Sequence, residues 1–85
     1  MEAQESNIRR RLIPLYLKEY FETHKHLPVT REELLSYLYC LDIPIRRKTL
    51  IYHIEALKLY GMDIQVEKGK HGAYFFQGYK EVNND

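Results

Sequence analysis

The chain holds one cysteine, four glycines, three prolines and no tryptophan in 85 residues. A lone thiol, Cys40, rules out an internal disulfide and fits a reducing compartment, so a cytoplasmic protein is expected. No apolar run is long enough to cross a bilayer. The start, Met1-Glu2-Ala3-Gln4-Glu5, is too acidic and polar for a signal peptide. No CxxC or HxxxH spacing is present, and His24 and His26 stand two apart, so no metal site is expected. No glycine-rich phosphate loop of the nucleotide-binding type occurs. Cys40 falls on the apolar side of a helical segment with no base in view, which reads as a small core residue. Neither catalysis nor a cofactor is expected.

What is present suits one small folded domain over residues 1–85, with an ordered core about 7–79. Hydrophobic residues make up 45% and charged residues 29%, too apolar for a disordered chain. The formal net charge is only +1, so any basic character must be local. It is concentrated in residues 46–60, where Arg46, Arg47, Lys48 and Lys58 face the single Glu55.

Apolar residues recur at helical spacing through Ile8, Leu12, Leu15, Tyr16 and Tyr20, with Ile13, Leu17 and Phe21 widening the stripe. This predicts a first helix over about 7–24, kinked rather than broken by Pro14. An interior proline costs about 3 kcal/mol. Thr30 and Glu33 have capping-box spacing, and Val29 and Leu34 have staple spacing, which start a second helix ending near Cys40. Leu27-Pro28-Val29 ahead of it is extended, long enough for a very short strand. Pro44 biases Ile43 away from helical angles and forces a turn. Leu50, Ile54 and Leu57 give a third helix its inward face, and Gly61 suits its end. Beyond Gly61 the period falls to two in Met62, Ile64 and Val66, followed by the turn Gly69-Lys70-His71-Gly72 and a second strand Ala73–Phe76. The expected class is mainly α with a small β-hairpin.

Two helices joined by a short turn, the second led by cations, form a helix-turn-helix whose second helix lies in a DNA major groove. Cations at a helix start oppose the macrodipole and do nothing for folding, but a docked polyanion would welcome them. On this reading Arg46, Arg47 and Lys48 hold phosphate, and Arg47, Thr49, Tyr52 and His53 read bases. Lys68, Lys70 and His71 at the hairpin tip touch adjacent backbone.

Arg47-Lys48-Thr49, then Ile54-Glu55-Ala56-Leu57, Gly61, Asp63-Ile64 and Gly69-Lys70-His71-Gly72-Ala73-Tyr74-Phe75, resemble the N-terminal domain of DeoR-like, WYL-domain transcriptional regulators. That pattern runs roughly S-x-K-T-V-x-R-D-I-E-x-L, then G-x-x-I, then a glycine-rich wing ending G-Y-x-L. The resemblance covers about residues 8–78. It implies a three-helix winged helix-turn-helix binding double-stranded DNA, with a recognition helix about 45–60, a wing about 62–77, and a transcriptional role. Such regulators carry a C-terminal effector-sensing domain, which these residues do not include. The chain is then either a fragment or a free-standing module. Three positions depart from the pattern: Arg46 replaces the serine cap, Tyr52-His53 replaces Arg-Asp, and Ala73 replaces the wing tyrosine. The base-reading surface therefore differs, and no operator carries over.

Other readings stand beside this one. Tyr52 and His53 equally suit a surface or dimer contact, and Lys68, Lys70 and His71 a soluble turn. Arg9-Arg10-Arg11 are read as solubilising a helix and pairing with Glu2 or Glu5. Eight tyrosines and three phenylalanines exceed what a small hairpin buries. The surplus, with Tyr16, Tyr20 or Tyr79, is expected to pack on another chain, as in a homodimer, or on the effector-sensing domain that these residues do not include. The chief alternative is a winged helix that binds protein rather than DNA, and RNA binding is a third option. Arg46 gives the sharpest test. Arg46→Ser should stabilise the free domain by up to about 1 kcal/mol in urea denaturation while weakening DNA binding. A loss of stability would instead reveal a structural partner for Arg46.

Overall fold

The computed structural model describes residues 2–67 and 72–80. Four helices and three strands follow in the order α1 (Glu2–Arg11), α2 (Ile13–Thr23), β1 (Pro28–Val29), α3 (Arg31–Cys40), α4 (Arg47–Tyr60), β2 (Met62–Val66) and β3 (Tyr74–Tyr79). The strands form an open antiparallel sheet in the order β1-β3-β2, so the last strand in sequence is the central one. The class is a small, mainly helical α+β domain. Among the described residues no helix is long and apolar enough to cross a membrane.

The N-terminal helical segment is broken, not kinked. α1 stops at Arg11, Leu12 sits at φ −90° and ψ 0°, and α2 restarts at Ile13 with Pro14 in its first turn. There a proline costs little, because first-turn amides lack intrahelical partners anyway. The break places the interruption where the proline can be tolerated. It also selects which apolar stripe turns inward. Ile13, Leu17 and Phe21 are buried, whereas Ile8 and Leu15 are exposed.

Thr30 caps α3 as its spacing predicts, its hydroxyl accepting from the Glu33 amide at 3.1 Å. Glu33 does not complete a capping box; its carboxylate takes the Tyr20 hydroxyl instead and links α2 to α3. Val29 and Leu34, the staple pair, are both buried. α3 ends in a Schellman arrangement. Asp42 sits at φ 62°, its amide donating to the Tyr39 carbonyl at 3.0 Å and the Ile43 amide to the Leu38 carbonyl at 2.9 Å. Leu38 and Ile43, the apolar pair of that motif, are both in the core. Pro44 then leads the chain extended into α4.

α4 buries Leu50, Ile54 and Leu57 and stops at Gly61, whose φ of 131° disfavours any residue with a Cβ. The hairpin follows at once. Tyr74 and Phe76 face the core, Ala73 is buried beside them, and Phe75 is half-buried. Between the pairs Met62–Tyr79 and Ile64–Phe76 the register slips by one residue, and Gly78 at φ 109° absorbs the bulge. Phe21 sits where helices and sheet meet, edge-on to Tyr74 and tilted against Phe76, each 6.5 Å away.

Much of the aromatic surplus is absorbed inside the fold rather than left for a partner. Tyr16, Tyr20 and Tyr37 pack against the core. Tyr20 stacks on His24 at 4.1 Å and lies 4.6 Å from Tyr37. Tyr79 meets Phe76 edge-on and donates to Glu22 at 2.6 Å. Cys40 is exposed, not in the core.

Burial, then the Glu33 carboxylate, raises the Tyr20 hydroxyl from its ordinary 10 to about 12. Tyr37, Tyr74 and Tyr79 shift the same way, chiefly through burial. A raised folded-state value favours the protonated hydroxyl, so this stability is complete below pH 10 and is lost as pH rises through about 12. Denaturation midpoints measured from pH 8 upward should fall steeply in that window, and Tyr20→Phe should flatten the fall. An equal slope in the variant would place the alkaline sensitivity elsewhere.

Candidate nucleic-acid interface

α4 is presented by the α3 turn with its inward face fixed by Leu50, Ile54 and Leu57. At 100° per residue the opposite face carries Lys48, Thr49, Tyr52, Glu55, Ala56 and Leu59. All six are exposed. The first half of that face is cationic and polar, and the second half turns acidic and then apolar. The helix start is uncapped. Arg46 has extended backbone at φ −87° and ψ 160°, and its side chain makes no capping hydrogen bond. The first-turn amides therefore stay available to an acceptor.

The predicted site residues divide into three groups. Arg46, Lys48, Thr49 and Tyr52 stand together at the exposed start of α4, Tyr52 at 70% exposure. Arg47 is also exposed but is turned toward α3, where its guanidinium meets Glu32 at 3.2 Å. His53 is half-buried under an edge contact with Tyr52 at 5.4 Å between ring centres. Burial lowers its pKa, so it presents a neutral imidazole at pH 7 rather than a cation. Lys68, Lys70 and His71 lie outside the described residues.

One contributor comes from outside the motif. Arg10, in the last turn of α1, shares a groove of about 330 Å³ with Pro44, Ile45, Arg46 and Thr49. The neighbouring Arg9 bonds Asp42 in the turn at 3.3 Å, which holds the end of α1 against this groove. Of the run Arg9-Arg10-Arg11, Arg9 thus pairs with the turn and Arg10 lines the groove, while the expected partners Glu2 and Glu5 lie outside the described side chains. Two arginines 36 positions apart converge on one polar groove beside a hydroxyl and a set of free amides. Among the residues whose side chains are described, 7–67 and 72–80, no carboxylate pairs with Arg10, Arg46 or Lys48, whereas Arg9, Arg47, Lys18 and Lys58 are each paired. A second cation also approaches closely elsewhere. Arg31, at the start of α3, lies against Gly72, where an added Cβ would come within 2.9 Å of its guanidinium.

Among the described residues no three His, Cys, Asp or Glu side chains are grouped to hold a metal ion. His24 and His26 are occupied separately, His24 Nδ1 with the Tyr20 carbonyl at 2.8 Å and His26 Nδ1 with the side-chain oxygen Oε1 of Gln77 at 2.9 Å. The site offers positive charge, amides, a hydroxyl and one aromatic.

No family model matches the chain, and neither a curated protein nor a solved structure matches it.

The Arg47–Glu32 pair decides how readily Arg47 turns outward. Both side chains are largely exposed, and surface pairs of this kind contribute about 0–1 kcal/mol. A double-mutant cycle with Arg47→Ala and Glu32→Ala should give a coupling below about 1 kcal/mol that shrinks with added salt. A coupling near 2 kcal/mol, insensitive to salt, would make the pair structural.

Proposed function

We propose that the chain is a winged helix-turn-helix module that binds double-stranded DNA within a transcriptional regulator. In this reading α3 and α4 are the helix pair, α4 is the recognition helix in the major groove, and β2 and β3 form the wing. The observation that carries it is the convergence of Arg10 and Arg46 with Thr49 at an uncapped helix start, beside Lys48. Like charges gathered around a positive helix end raise the energy of the free protein, and phosphate relieves that cost. Arg10, Arg46 and Lys48 hold backbone. Arg47 swings from Glu32 to phosphate or a guanine edge, and Thr49 and Tyr52 meet base edges. Neutral His53 supports Tyr52 from below and offers one ring nitrogen to a base.

A second reading has its own support. Leu59 is 91% exposed on the outward face of α4, and the exposed Tyr60 that follows it lines an apolar groove with Pro14, Leu15 and Leu57. Such a patch suits a winged helix that contacts protein instead of DNA.

Salt titration against random-sequence duplex DNA separates the two. The DNA reading gives an affinity that falls steeply with salt. Arg47→Ala/Lys48→Ala lowers the log–log slope by about two, and Arg10→Ala by about one, with circular dichroism unchanged. Unchanged affinity at low salt in the double variant would sink the mechanism. No binding by the native chain at low salt would favour the protein-contact reading.

A further inference from the structure

Beside the basic groove lies an apolar one. Leu35, Ser36, Tyr39 and Cys40 of α3, with Pro44 and Ile45 of the turn, enclose about 420 Å³. Pro44 and Ile45 line both grooves, so the two are continuous across one ridge. One side offers an aliphatic floor of Leu35, Pro44 and Ile45 with a tyrosine wall. The other offers Arg10, Arg46 and Thr49. The turn that directs α4 thus also separates an apolar seat from an adjoining cationic seat.

We infer that this bipartite surface docks a short acidic peptide segment of a partner protein, an apolar side chain entering the α3 groove and the carboxylates that follow it meeting Arg10 and Arg46. Charge complementarity selects the peptide, because the cations flank the apolar seat on one side only and so fix its direction. The floor is aliphatic, which suits a leucine or phenylalanine side chain better than the flat face of a base, where an aromatic platform serves. A volume of this size takes one or two such side chains. Carboxylates on Arg10 and Arg46 occupy the groups assigned above to phosphate. On that assignment, and resting on it, the peptide and duplex DNA exclude one another, and the partner acts as a competitive brake.

The probe is a dye-labelled glycine–serine peptide carrying two leucines followed by three aspartates, titrated against the full chain by fluorescence anisotropy. Two control peptides replace the leucines by serine or the aspartates by asparagine. Each control should bind roughly tenfold more weakly or worse. Tyr39→Ser and Arg10→Glu, both at exposed positions, should each lose roughly tenfold for the parent peptide while circular dichroism stays unchanged. Amide shifts should concentrate at Ser36, Tyr39, Ile45 and Arg46, and saturating peptide should slow alkylation of Cys40 by iodoacetamide.

Equal binding by the serine control would reduce the surface to a general cationic patch and overturn the proposal. So would shifts centred elsewhere, or protection of Cys40 by oligothymidylate rather than by peptide. Peptide binding by a chain that fails to bind duplex DNA would leave the docking surface standing and remove the competition with it. Duplex binding without peptide binding would overturn the docking surface and the competition together, and leave the DNA reading standing.

Discussion

The buried face of α2 is the surface on which the other elements assemble. Leu17 and Phe21 are fully buried, and Phe21 touches both aromatic residues that β3 turns inward. α2 packs on α1, α3, α4 and β3. Orientation of the candidate interface follows from this. Burying Leu50, Ile54 and Leu57 against α2 and its neighbours leaves Lys48, Thr49 and Tyr52 on the outside with no freedom to rotate away. Removing the Phe21 ring would take away contacts on the helices and the sheet together, and core truncations of that size cost about 3–5 kcal/mol. A domain this small has little stability to spare against such a loss.

Electrostatics adds a second constraint, which total charge conceals. The chain is nearly neutral, yet of the five cations near the candidate site only Arg9 and Arg47 are held by described carboxylates on neighbouring elements. Arg9 fastens α1 to the turn, and Arg47 spans α3 and α4. These exposed pairs contribute little energy. Their effect is positional, because they leave Arg10, Arg46 and Lys48 as the cations facing solvent without a described partner. The same turn carries the Schellman closure at Asp42, so one short segment satisfies the end of α3, sets the direction of α4 and receives α1.

Elements with local chemical signals were legible in the sequence. Thr30, Pro44 and Gly61 act through their immediate neighbours, and the Leu50–Ile54–Leu57 spacing has one interpretation. The short strand at Pro28–Val29 and the hairpin beyond Gly61 were legible for the same reason. The N-terminal segment was not, because apolar residues occupy nearly every side of residues 12–21. Periodicity alone then leaves two candidate stripes, and only tertiary packing chose Ile13, Leu17 and Phe21 over Ile8 and Leu15. Cys40 carried a usable signal. It lies about 200° around α3 from Leu38, which places it outward. Within the candidate site, the cluster at 46–49 was visible from charge and position, but the Arg47–Glu32 pair and the partial burial of His53 depend on contacts between elements. Arg10 joins Arg46 through folding across 36 positions, which no local pattern encodes.

The strand order has a consequence for synthesis of the chain. β3 occupies the centre of the sheet, between β1 and β2, yet it is made after both of the strands it joins. Until residues 74–79 leave the ribosome, Val29 and Ile64 have no strand to lie beside, and Phe21 lacks both aromatic neighbours. The helices can form as they emerge, but the hydrophobic face they share stays open to other chains throughout elongation. In the finished fold the Lys80 amide donates to the Gly61 carbonyl at 2.8 Å and ties the end of the sheet to the end of α4. The time between synthesis of β2 and of β3 therefore sets how long that face waits for its central strand.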